Sequence, residues 1–192
     1  MIRIVPSGST PLDYAILGLL HNAPMSGYAL RKLFATTPMS HFSDSPGSIY
    51  PALARLRRKG LVTATVQNKQ SLRPRQVFRL SSAGLKALAT WVSGPVTRDE
   101  LAGHGDEVML RFVFSEQVLG HAAAVRFLES YDRSLAAYIP ELERYYESAA
   151  PAMSLAARLA LRNGVASHQE QLAWVRDAIR EFRRAVARKE AV

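Results

Sequence analysis

The sequence predicts a mainly α protein in two parts. The first is a set of three short helices closed by a two-stranded hairpin and a fourth helix; the second is helical throughout. Three observations carry this reading. The 192 residues exceed the needs of one domain of about 100–150 residues. Apolar spacing is helical everywhere except over residues 61–67 and 76–80, where it alternates. Charge also divides unevenly: residues 1–96 hold twelve Lys and Arg against Asp13 and Asp44, whereas residues 97–192 hold thirteen basic and fourteen acidic side chains. The formal net charge of +9 therefore belongs to the first half. Clustered cations attract polyanions by releasing condensed counterions, so the first half is expected to bind one and the second to do something else.

Residues 1–9 read as a flexible arm, residues 10–95 as the first domain, 96–105 as a linker and 106–192 as a helical dimerisation domain. The first helix starts with Thr10 as cap, Pro11 at the first helical position and Asp13 beside the positive end of the helix dipole. Ser26 caps a second helix, in which Met25 and Leu30 are spaced as a hydrophobic staple. A third helix begins near Gly47 and Ser48, because Pro51 is tolerated only where amides lack intrahelical partners. Gly60 ends it. On that helix Ile49, Leu53 and Leu56 face inward, and the outer face is small near its start and cationic farther along. Residues 61–67 and 76–80 form a hairpin with a basic tip, and Ser81 caps a fourth helix that Ser93-Gly94-Pro95 breaks.

Beyond the linker, helices are expected over about 106–115, 116–149 with a kink or break at Pro140, and 150–189 with a weak point at Asn163-Gly164. The last carries Leu172, Val175, Ile179, Phe182 and Val186 at spacings of three and four. That is either an intramolecular core stripe or the seam of a dimer, and the dimer is the expectation taken here.

Three helices plus a two-stranded wing make a winged helix–turn–helix. Its third helix fits the major groove of duplex DNA, and the wing holds backbone phosphates. Arg55 and Arg58 are the cationic candidates on the reading helix. Ser26, Tyr28, Ser48 and Tyr50 supply hydroxyls, and Lys69, Arg73 and Arg75 on the wing follow the backbone or enter the minor groove. A solvated surface would account for any one of these cations; their common face argues for DNA.

Leu17-Gly18-Leu19-Leu20, Ser26-Gly27-Tyr28, Gly47-Ser48-Ile49-Tyr50-Pro51-Ala52-Leu53, Arg55-Leu56 and Gly60-Leu61-Val62 resemble the PadR family of bacterial transcriptional regulators, as do Pro74-Arg75, Leu80-Ser81 and Ala83-Gly84. The resemblance spans about residues 11–92. Phe78 departs from it where Tyr is usual, and Ser81 where Thr is common. The second half, with Trp174, is similar to the longer C-terminal dimerisation domain of one branch. The resemblance implies a homodimeric regulator, usually a repressor, often released from its operator by a small molecule. Trp91 and Trp174 are the aromatic residues considered for such an effector, at the junction with the fourth helix and on the last helix.

Enzyme chemistry finds no support. The sequence has no Cys, no phosphate-binding Gly loop and no Gly-x-Ser-x-Gly elbow, and its five His lack metal-ligand spacing. No cofactor is expected. Without Cys there is no disulfide framework, and no apolar run approaches the ~20 residues of a membrane helix, so a cytoplasmic protein with no membrane partner is expected. The competing reading is a winged helix that docks an acidic protein without binding an operator.

Overall fold

The computed structural model describes residues 8–43, 47–67 and 75–190, and divides into two compact units, Met1–Gly94 and Pro95–Val192. In the first unit the chain forms α1 (Pro11–Asn22), β1 (Met25–Ser26), α2 (Gly27–Thr36), a 3-10 turn (Pro38–Phe42), α3 (Ile49–Arg58), β2 (Val62–Gln67), β3 (Arg75–Leu80) and α4 (Ser82–Ser93). The wing gains a third strand. The antiparallel order is β1-β3-β2, with Met25 opposite Phe78, and Val62 through Gln67 running against Leu80 back to Arg75. Two residues of a connecting segment are too short to show alternation in sequence, so only the pairing with β3 reveals them as a strand.

The expected caps form. Thr10 Oγ1 accepts from the Asp13 N–H at 3.3 Å while Asp13 Oδ2 accepts from the Thr10 N–H at 3.1 Å, a reciprocal capping box. Ser26 Oγ accepts from the Ala29 N–H, and Ser81 Oγ from the Gly84 N–H, at 3.1 and 3.0 Å. Ser81 also donates to the Gly60 carbonyl at 2.7 Å, joining the end of α3 to the start of α4. Ile16, Leu17, Leu30, Ile49, Leu53, Leu56 and Leu88 fill the core beneath these elements. Gly8 and Ser9, expected in a flexible arm, are held by Lys59, whose Nζ donates to the Gly8 carbonyl and Ser9 Oγ at 2.7 and 3.2 Å.

The second unit contains α5 (Arg98–Gly103), α6 (Gly105–Leu119), α7 (His121–Ala149), a 3-10 turn (Ala150–Ala152) and α8 (Leu155–Glu190). The segment 96–105 is therefore not a simple linker. Thr97 and Glu100 close a capping box that opens α5, and Val96 and Leu101 are buried in the unit's core with Val108, Leu128, Leu135 and Val175. The break in the helices falls at Gly120, whose φ of 82° suits glycine, and not at residue 115. Pro140 neither breaks nor ends α7. It and Ala136 are exposed, so the carbonyl that loses its intrahelical donor faces water. The segment at Asn163-Gly164 is likewise continuous helix.

Candidate nucleic-acid interface

On α3, Ile49, Ala52, Leu53 and Leu56 are buried, while Tyr50, Pro51, Ala54, Arg57 and Arg58 are exposed. One edge of that outer face borders the wing. There Tyr50, Leu53, Ala54, Arg57 and Arg58 of α3 and Gln76 and Phe78 of β3 line an open groove of about 440 Å³. Its floor is apolar and its rim carries two guanidinium groups and an amide. Strand alternation puts Gln76 and Phe78 on this side and Arg75 and Arg79 on the opposite side of β3, both exposed. Phe78 is buried in the register beside Met25 and Ala64, so its position is an apolar one with no call for a hydroxyl.

The starts of α2 and α3 meet. Tyr28 is 62% and Tyr50 52% exposed, which leaves both rings available at the surface. The Arg31 guanidinium lies 5.5 Å from the Tyr28 ring centroid, a cation–π distance. A Cβ built on Gly27 would stand 2.7 Å from Tyr50 Cε1, closer than real atoms approach. The absence of a side chain at Gly27 is thus what lets the Tyr50 ring lie over the start of α2. This contact explains why Ser-Gly-Tyr and the Ile-Tyr-Pro segment belong to one surface.

Several expected contacts are redirected. Arg55 turns to the other edge of α3, where its Nε and Nη2 donate to Asp13 Oδ2 and Oδ1 at 3.1 and 2.6 Å. Those hydrogen bonds with Asp13 are the main reason its guanidinium is held more firmly protonated than usual, against the opposing effect of burial. Asp13 is fully buried, and Arg55 keeps 31% of its side chain exposed. Arg55 is therefore a structural clamp, and Arg57, not among the cations expected on this face, takes the place beside Arg58 on the open face. Periodicity alone could not separate them, because they flank the apolar stripe on opposite sides. Ser26 is engaged as the α2 cap acceptor, and Ser48 Oγ lies 2.7 Å from Ser43 Oγ. Arg58 and Arg75 are exposed as expected; Lys69 and Arg73 lie outside the described residues.

The apolar stripe of α8 packs against its own unit. Val175 is wholly enclosed there, so it leaves the candidate dimer surface, and Leu172, Ile179 and Phe182 rest half-buried on the same core. The side chain of Val186 lies outside the described residues. Charged neighbours tie α8 to α7 through Arg176–Asp132 and Arg183–Glu129 at 2.8 and 2.9 Å. Apolar side chains that stay open lie elsewhere: Met109 and Val113 on α6, and Leu155 and Leu159 at the start of α8. Trp91 is buried and stacks on Tyr14, centroids 4.3 Å apart and planes within 1°, so it is a packing residue of the first unit. Trp174 is partly open and meets Phe112 edge-on at 5.7 Å. Among the described residues no cluster of His, Asp and Glu is arranged to hold a metal, and no helix is long and apolar enough to cross a membrane.

Residues 16–90 match the transcriptional regulator PadR-like family. The negative transcriptional regulator PadR of Bacillus subtilis is 26% identical over 136 residues, which cover 71% of this chain and 73% of that protein. The crystal structure of B. subtilis PadR with operator DNA is 22% identical, covering 92% of this chain and 99% of that one with a TM-score of 0.43. A PadR-like regulator from Bacillus cereus is 21% identical, covering 92% and 98% with a TM-score of 0.40.

Proposed function

Because residues 16–90 match the PadR-like family of transcriptional regulators, we propose that this protein is a winged-helix repressor that binds duplex DNA as a homodimer. Two copies present two reading helices, so the operator is pseudopalindromic, with half-sites about one helical turn apart. The observation that carries the reading is the continuous exposed face made by Tyr28, Tyr50, Arg57 and Arg58 where α2, α3 and the wing groove meet. Small residues at Pro51 and Ala54 let the helix approach base edges, and the cations beside them hold phosphates.

A negative regulator as sequence relative supports repression. The open leucines Leu155 and Leu159, one turn apart at the start of α8, support self-association through the second unit, since neighbouring exposed apolar side chains mark an interaction surface. A small apolar or aromatic effector that weakens operator binding completes the proposal, with Trp174 as the open aromatic wall.

The test is anisotropy titration of labelled duplex across a salt series. A log–log slope near −0.9 per neutralised phosphate, with tighter binding to a selected pseudopalindrome than to random duplex, is the expected result. Absence of duplex binding would favour the protein-docking alternative.

A further inference from the structure

The start of α2 holds a guanidinium that the packing of the first unit does not use. Tyr28 and Arg31 stand three residues apart on α2, so their side chains share one edge of the helix. Both are exposed, and the Arg31 guanidinium lies 5.5 Å from the Tyr28 ring centroid. Gly27, Leu30 and Phe34 are the buried residues that seat α2 on the core. Residues 1–96 contain two carboxylates, Asp13 and Asp44. Asp13 is buried and accepts both hydrogen bonds of Arg55, and Asp44 lies outside the described residues. Arg31 therefore has no carboxylate partner among the described residues of its own unit.

A guanidinium held at an aromatic ring keeps its in-plane N–H donors available to an acceptor. The start of α3 comes to the same place, since the missing Cβ of Gly27 leaves room for the Tyr50 ring. In a helix–turn–helix the helix before the reading helix crosses the DNA backbone, and α2 is that helix here. We propose that Arg31 holds a backbone phosphate of bound duplex and that the Tyr28 ring is its positioning residue. The proposal rests on the DNA-binding reading above and adds a cation that the wing groove does not contain. Tyr28 then contributes through its ring, which restricts the long Arg31 side chain before binding and so reduces the conformational entropy lost on contact. Its hydroxyl has no part in this.

The experiment uses the full chain and a labelled random-sequence duplex, because a phosphate contact acts on every sequence alike. Anisotropy titrations across a salt series compare the parent with R31A, Y28F, Y28A and Y28A/R31A, all altered only at exposed positions. R31A is expected to lower the log–log salt slope by roughly 0.9 per bound copy and to weaken binding about five- to tenfold near about 0.1 M salt. Y28A keeps the parent slope but weakens binding about two- to fivefold, since the cation remains and is no longer held. Y28F, which retains the ring, binds within about twofold of the parent. Y28A/R31A binds no more weakly than R31A, because Tyr28 acts only through Arg31. An unchanged slope in R31A overturns the phosphate contact. Y28F as weak as Y28A assigns the contact to the hydroxyl, and losses that add in the double variant make Tyr28 a DNA contact in its own right; either result overturns the positioning role. A parent that binds no duplex overturns the DNA-binding reading and the proposal with it.

Discussion

Arg55 of α3 and Asp13 of α1 are joined by two parallel hydrogen bonds, 3.1 and 2.6 Å, although 42 residues separate them in sequence. The same carboxylate accepts from the Thr10 N–H, so one buried group both starts α1 and fixes the angle at which α3 leaves the core. A bidentate guanidinium–carboxylate pair constrains orientation as well as distance.

Removing the guanidinium leaves a buried carboxylate without its cation. Arg55→Met should therefore cost about 2–4 kcal/mol of stability, toward or below the low end for fully buried pairs because Arg55 is 31% exposed. Urea denaturation measures it. The salt slope of DNA binding, taken well below the melting temperature, should match the parent.

Arg57→Ala and Arg58→Ala should do the reverse. Each should leave stability within about 0.5 kcal/mol and reduce the log–log salt slope by roughly 0.9 if its side chain neutralises one phosphate. A base-reading role would instead appear as about 1–3 kcal/mol lost on the operator and little on random duplex. Titrations on both duplexes separate the two.

Gly27→Ala tests the meeting of α2 and α3. The added methyl cannot share space with the Tyr50 ring as placed, so the ring must swing away. Operator affinity should fall by about 1–2 kcal/mol, within the range of a lost specific contact. The alanine itself favours helix, so the thermal midpoint should change little. An unaltered affinity would mean that Tyr50 is not used in its present position.

Two substitutions on α8 should have opposite effects. Val175→Asp places a charge in the enclosed core of the second unit and should unfold that unit or cost at least about 3 kcal/mol. Leu155→Glu with Leu159→Glu alters open side chains, so thermal stability of the monomer should survive while sedimentation shows less dimer. A dimer unchanged by the double substitution would move the interface away from this part of α8.

Much of the organisation was legible because local rules decide it. Thr10, Ser26 and Ser81 cap their helices from one turn away, the alternation in residues 61–67 and 76–80 is a strand signal, and Gly60 ends α3 with a φ of 70°. Thr97-Arg98-Asp99-Glu100 carries an equally local capping-box signal, which starts α5 inside the segment expected as a linker. The continuous helix at Pro140 required knowing that its outer side meets solvent.

The sequence by itself determined the caps that start α1, α2 and α4, where the wing hairpin lies and which half of the chain carries the basic excess, since each depends on neighbours within a few residues or on composition alone. Only the tertiary structure decided what individual side chains do. Arg55 and Arg57 are two residues apart on one helix and chemically identical, yet one meets Asp13 and the other opens onto the wing groove. Val175 and Leu155 are both apolar residues of α8, yet one is enclosed by α7 and the other remains open. Helical period assigns a residue to a face, but the partner waiting at that face comes from distant chain. Burial and pairing with that partner set whether a cation is a clamp or a contact, and whether an apolar side chain is core or surface.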